Sequence, residues 1–141
     1  MNTRRTRHRD VVSNPSQLVV LTKALDLLKY TFTVTSNDKN IPKKFRLTMV
    51  RQMQDTMLSA YSDLIHANLI FPQNQKDLHR RLQFNQFADE SLHILLALAE
   101  ASTQVCHFRN PGNWSKLIWE VIKLNRAWAS ATKEQFAELP E

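Results

Sequence analysis

An all-α, up-down-up-down four-helix bundle is the fold class this sequence predicts, and three observations predict it. Four stretches repeat apolar residues at steps of three and four, the period of a helix with one buried stripe. Glycine occurs once and proline five times in 141 residues, so long helices meet few breakers. The connections are short and polar, which returns each helix antiparallel to the one before. The expected organisation is a basic flexible arm over 1–15, a bundle over 16–131 and a frayed, glutamate-bearing tail over 132–141.

The arm carries Arg4, Arg5, Arg7 and Arg9 with few large apolar groups, too little to bury a core. It suits non-specific grip on a phosphate backbone; a solvated tail explains the same residues equally well. The first helix is expected from about Ser16, as N-cap, to Thr35. Leu18, Leu21, Leu25, Leu28 and Phe32 form a coiled-coil-like seam. Val20, Ala24, Leu27 and Val34 widen it, as a helix with two or more neighbours requires.

After the polar linker 36–41, the second helix is expected over Ile41 to Ile70, with Pro42 at the first helical position. Phe45, Met49, Met53, Met57, Ala60, Leu64 and Ala67 mark one buried stripe on a helix of roughly 27 residues, about 40 Å long. The methionines read as core filler. Lys43, Lys44 and Arg46 fall in its first turn and Arg51 one turn later. A helix N-terminus carries partial positive charge, so each cation there costs a few tenths of a kcal/mol. An external anion would offset that cost, and free backbone N–H groups would help to bind it. A solvated, frayed helix end is the other reading.

The third helix is expected from near Asp77 to about Phe108, after a loop at 73–75. Leu78, Leu82, Leu92, Leu96, Ala99 and Cys106 share one face; Phe84, Ala88, Leu95, Leu98 and Val105 share the next. His79, Arg80 and Arg81 form a second basic cluster in its first turn, repeating the unfavourable dipole placement. Short loops put the two clusters at opposite ends of one protomer. The turn 110–113 leads to a fourth helix over about Asn113 to Ala131, Asn113 serving as cap, with Trp114, Leu117, Ile118, Val121, Leu124 and Trp128 as its stripe. Trp119 and Ile122 lie off that stripe and serve either an oligomer interface or the core.

The net charge is +6, which favours nucleic acid or an acidic protein surface as partner. Residues 1–73 hold eleven Lys/Arg against five Asp/Glu and residues 74–141 hold eight against eight, so the excess lies in the first half. The single cysteine, Cys106, permits no intramolecular disulfide and reads as a small hydrophobe. No membrane span or secretory signal is legible, and a cytoplasmic protein is expected. Glu90 and His93 make one E-x-x-H pair, but di-iron bundles need two pairs and two further glutamates, and the first two helices contain none. The single glycine excludes a phosphate-binding loop, and no nucleophile motif is present. No enzymatic activity, metal or cofactor is expected.

The segment I-P-K-K-F-R at 41–46, the A-N that closes its helix at 67–68, Phe87-Ala88-Asp89 followed by Leu92, Leu95 and Leu96, and Glu120-Val121 with Trp128 beyond them carry a resemblance. In that order and spacing the chain resembles the accessory variability determinant (Avd) proteins of diversity-generating retroelements, over about Leu18 to Ser130. The family often has a glycine shortly before the last tryptophan, where this chain has Arg126 and Ala127. The arginine-rich arm is not part of the pattern. The resemblance implies a bundle assembling as a homopentameric barrel. It implies a non-catalytic role: binding the retroelement's reverse transcriptase and template RNA to support mutagenic cDNA synthesis and retrohoming. It points to Lys43, Lys44, Arg46 and Arg51 first, and Arg80 and Arg81 second, as contacts to phosphates or an acidic polymerase face. The alternative is a bundle of the kind encoded by intervening sequences of 23S ribosomal RNA, a basic oligomer without a polymerase partner.

Overall fold

The computed structural model describes residues 15–106, 108 and 111–141, with the backbone alone for 15, 16 and 18. Four α-helices carry the described chain, which contains no strand: α1 (Pro15–Ser36), α2 (Arg51–Leu69), α3 (Gln75–Val105) and α4 (Gly112–Gln135). A 3-10 turn, Lys43–Phe45, and a π turn, Arg46–Val50, lead into α2. Each helix packs against its neighbours in sequence, and α1 closes the ring against α4. The cross-helix pairs run in opposite directions along the chain: Gln17 with Asn68 and Thr35 with Gln54, then His66 with Phe84 and Met49 with Cys106. The predicted four-helix bundle is therefore the observed one.

The core is a continuous cluster in which Leu27, Met53, Met57, Leu64, Leu92, Leu95, Ile118, Ile122, Trp114 and Trp128 are fully buried. The expected stripes of the second and fourth helices hold. Of the two residues left off the α4 stripe, Ile122 joins the core while Trp119 stays 40% exposed, its ring edge-on to His93. On α1 the stripe is rotated from the expected seam. The buried line is Gln17, Val20, Ala24, Leu27, Thr31 and Val34, while Leu21 and Leu28 sit at its edge and Leu25 is exposed. The cause is polar. Thr31 accepts a hydrogen bond from Trp114 Nε1 at 3.0 Å, and Gln17 donates to Asn68, so the helix turns these groups inward.

Four boundaries differ from expectation. Pro42 precedes a 3-10 turn with ψ at 150° and is not the first residue of an α-helix, which starts only at Arg51. The third helix begins at Gln75 because Asn74, not expected in that role, caps it: its side chain accepts from the Asp77 N–H at 2.8 Å. The fourth starts at Gly112, with no side-chain cap from Asn113, and ends at Gln135. The residues beyond it are docked. Phe136 is buried edge-on to Phe71, and the Pro140 carbonyl accepts from the Gln75 N–H at 2.8 Å. No described helix is long and apolar enough to cross a membrane.

Candidate nucleic-acid and partner interface

At one end of the bundle the connection from α1 to α2 presents the first basic cluster. Lys43, Lys44, Arg46 and Arg51 are all exposed. The π turn decides how they are arranged. Arg51 N–H reaches back to the Arg46 carbonyl, five residues earlier. In an α-helix residues five apart point well away from one another; the wider turn stacks them on one side. Arg46 and Arg51 accordingly line one hollow of about 420 Å³ with Thr35, Ser36, Leu47, Val50 and Gln54. Leu47 at its rim is 80% exposed.

The charges here are partly answered from within. Asp38 takes both Lys43 at 3.7 Å and Arg46 at 3.1 Å, and Asp55 stands 4.0 Å from Arg51. All are surface pairs, worth at most about 1 kcal/mol and screened by salt. Lys44 lies over the Phe45 ring, 5.2 Å from its centroid, and exerts a lowering pull on the Cys106 thiol, which burial pushes up. The expected anion site at a free helix N-terminus is not what is found, because Lys43, Lys44 and Arg46 precede the α-helix on the 3-10 and π turns and only Arg51 stands at its first residue.

The second cluster is split by the helix. His79 and Arg80 are exposed, whereas Arg81 is 2% exposed. Arg81 donates to the Ile70 carbonyl at 3.3 Å, and its guanidinium lies 5.2 Å from the Trp128 ring and 5.6 Å from the Phe136 ring. Burial pushes its pKa down to about 10. Arg81 is therefore an internal strut, and its expected role as a partner contact is withdrawn. The dipole expectation at this helix is also corrected: the helix starts at Gln75, so His79, Arg80 and Arg81 fall beyond the first turn, which holds Asp77 with Lys76.

Sequence reasoning missed the surface that Arg80 does belong to. An open groove of about 830 Å³ runs between the first half of α3 and the last half of α4. Lys76, His79, Arg80, Gln83, Gln86, Arg126 and Lys133 line it, with Asn85 and Asn125. Those two asparagines are buried and joined, Asn85 Nδ2 donating to Asn125 Oδ1 at 2.9 Å and Asn125 Nδ2 to the Asn85 carbonyl at 2.9 Å. The lining contains no carboxylate. Only proximity across two helices assembles it, since Lys76 and Lys133 are remote in sequence.

The E-x-x-H pair is engaged otherwise. His93 Nδ1 lies 2.8 Å from the Asp89 carbonyl and Nε2 lies 3.2 Å from Arg126 Nη2, while Arg126 Nε donates to Asp89 at 2.9 Å. Among the described residues no group of three or more His, Cys, Asp or Glu is placed to hold a metal ion. Arg4, Arg5, Arg7 and Arg9 lie outside the described residues. Comparison with protein-family models, with curated proteins and with solved structures finds no match to this chain.

Proposed function

We propose that this chain is a non-catalytic accessory protein of a diversity-generating retroelement, binding that element's reverse transcriptase and template RNA to support mutagenic cDNA synthesis. The family part of this reading rests on the resemblance of the segments at 41–46, 67–68, 87–96 and 120–128. The observation that carries the binding role is the exposed run Lys43, Lys44, Arg46 and Arg51, with Arg46 and Arg51 lining one hollow. Such a surface suits phosphates or an acidic protein face. Assembly into a homopentamer belongs to the same proposal. It is supported by large apolar side chains left in solvent, including Leu25, Leu58, Phe87, Ile94 and Val105, which a second copy would cover.

The test is co-purification with the reverse transcriptase encoded beside the gene, with and without nuclease. Complex that survives nuclease is the expected result and establishes direct protein contact. The Lys44→Glu/Arg46→Glu double variant should lose at least about tenfold in affinity and flatten the salt dependence. Unchanged affinity and salt slope in that variant would remove this surface from the proposal. Absence of co-elution at low salt, with both proteins soluble, would favour a ribosomal-intervening-sequence type of bundle instead.

A further inference from the structure

We infer that the groove between α3 and α4 is a separate binding site for single-stranded nucleic acid, built from Lys76, Arg80 and Lys133 with His79 beside them. The inference rests on the proposed nucleic-acid role and says where on the molecule the strand lies. Three observations carry it.

The first is the state of the charges. At the α1–α2 end, Arg46 and Lys43 share Asp38, and Arg51 has Asp55. In the groove, Lys76, Arg80 and Lys133 form no ion pair with any described carboxylate. Arg126 is the exception, held by Asp89 at 2.9 Å, and contributes less. Lys43, Arg46 and Arg51 are thus partly neutralised while Lys44 forms no ion pair with a described carboxylate, and in the groove Lys76, Arg80 and Lys133 all keep their charge unanswered. A phosphate arriving at the groove displaces only water and counterions, the condition under which phosphate contact releases the most salt.

The second is shape. The charges sit in a concave channel between two helices, with the paired Asn85 and Asn125 buried along it. A lone phosphodiester strand, narrower than a duplex, can lie along such a groove with its phosphates on the cations. A cationic groove that tracks the backbone is the general solution for single strands. Lys76 and Arg80 stand one helical turn apart, about 6 Å along the axis, on the scale of successive phosphates.

The third is the remaining lining. Gln83 offers an amide donor and acceptor to base edges, Gln86 offers its amide oxygen while its Nε2 donates to Glu90 at 3.5 Å, and the exposed His79 ring offers a stacking surface. The Arg80 guanidinium lies 5.9 Å from the Phe84 ring centroid, which steadies the side chain without occupying its N–H groups. An acidic peptide would use the cations but not this ring and amide set, so the groove favours nucleic acid. The two basic surfaces then divide the work: groove for the strand, opposite end for the protein partner.

The experiment is anisotropy of a fluorescein-labelled oligouridylate titrated with the full chain over a series of KCl concentrations. The Lys76→Gln/Arg80→Gln/Lys133→Gln variant changes only exposed side chains, and its melting curve serves as the folding control. Binding should weaken by about tenfold or more at low salt. The slope of log affinity against log salt should fall by about 2, at roughly 0.7 per lost single-strand phosphate contact. An oligothymidylate of equal length should bind through the same residues, and a duplex should compete poorly. Wild-type binding left unchanged by the triple variant but abolished by Lys44→Glu/Arg46→Glu would overturn the groove and spare the proposed function. Displacement of the strand by polyglutamate at equal charge, or equal affinity for duplex, would also overturn it. No binding by the wild type to any oligonucleotide would defeat both readings.

Discussion

Arg81 holds a cation where water barely reaches, and the chain tolerates it by stacking. Its guanidinium lies against Trp128 and Phe136, and one N–H goes to the Ile70 carbonyl. Burial disfavours the charged form and pushes its pKa down to about 10. Two substitutions separate packing from charge. Arg81→Ala removes the stem from between two rings and should cost about 2–4 kcal/mol by urea denaturation. Arg81→Met keeps the stem's volume and discards the buried charge, and should stay within about 1 kcal/mol of wild type. Equal losses for both would mean that the charge itself holds the site together. The neighbouring residue behaves oppositely: Arg80, one position earlier, points its charge to solvent and the groove.

The helices are registered by polar pins set among apolar stripes. Gln17–Asn68 and Thr35–Gln54 tie α1 to α2, Thr31–Trp114 ties α1 to α4, and Asn85–Asn125 ties α3 to α4. A buried hydrogen-bonded pair adds modest net stability, but misregistering it strands polar groups in the core, so it selects one alignment among many. The end of α4 illustrates a second device. Phe136 packs on Phe71 and Arg81, and the Gln75 side chain donates to the Ala137 and Leu139 carbonyls at 3.3 and 2.9 Å. Together with the Pro140 carbonyl, this closes the start of α3. Phe136→Ala should therefore destabilise the bundle by about 3 kcal/mol in chemical denaturation. A loss below about 1 kcal/mol would mean that the segment after Gln135 is a passive appendage.

At the scale of the whole molecule, the fold was legible and the surfaces were not. Steps of three and four along the chain mark which residues face inward, and a bundle follows wherever four such stripes meet with short links. The rotation of α1 is not legible in an apolar pattern, because it turns on the polar Thr31 and Gln17, whose partners Trp114 and Asn68 lie far along the chain. Asn74 was likewise legible only as loop until Asp77 used its side chain. The burial of Arg81 is hidden in the sequence because the rings that cover it, Trp128 and Phe136, come from the far end of the chain. The groove could not be read at all, since it exists only where α3 and α4 lie side by side. The π turn has one further consequence. It holds one residue more than an α-helix needs, so it sets the angular phase between the basic end and the core. Deleting Thr48 would let the segment wind as an ordinary helix and turn residues 43–47 by about 100° around the axis. Such a variant should melt cooperatively, since the buried stripe from Met53 to Ala67 is untouched, yet lose partner binding that depends on Arg46. A single codon would then act as a dial on which direction the charges face, leaving the amount of charge the same.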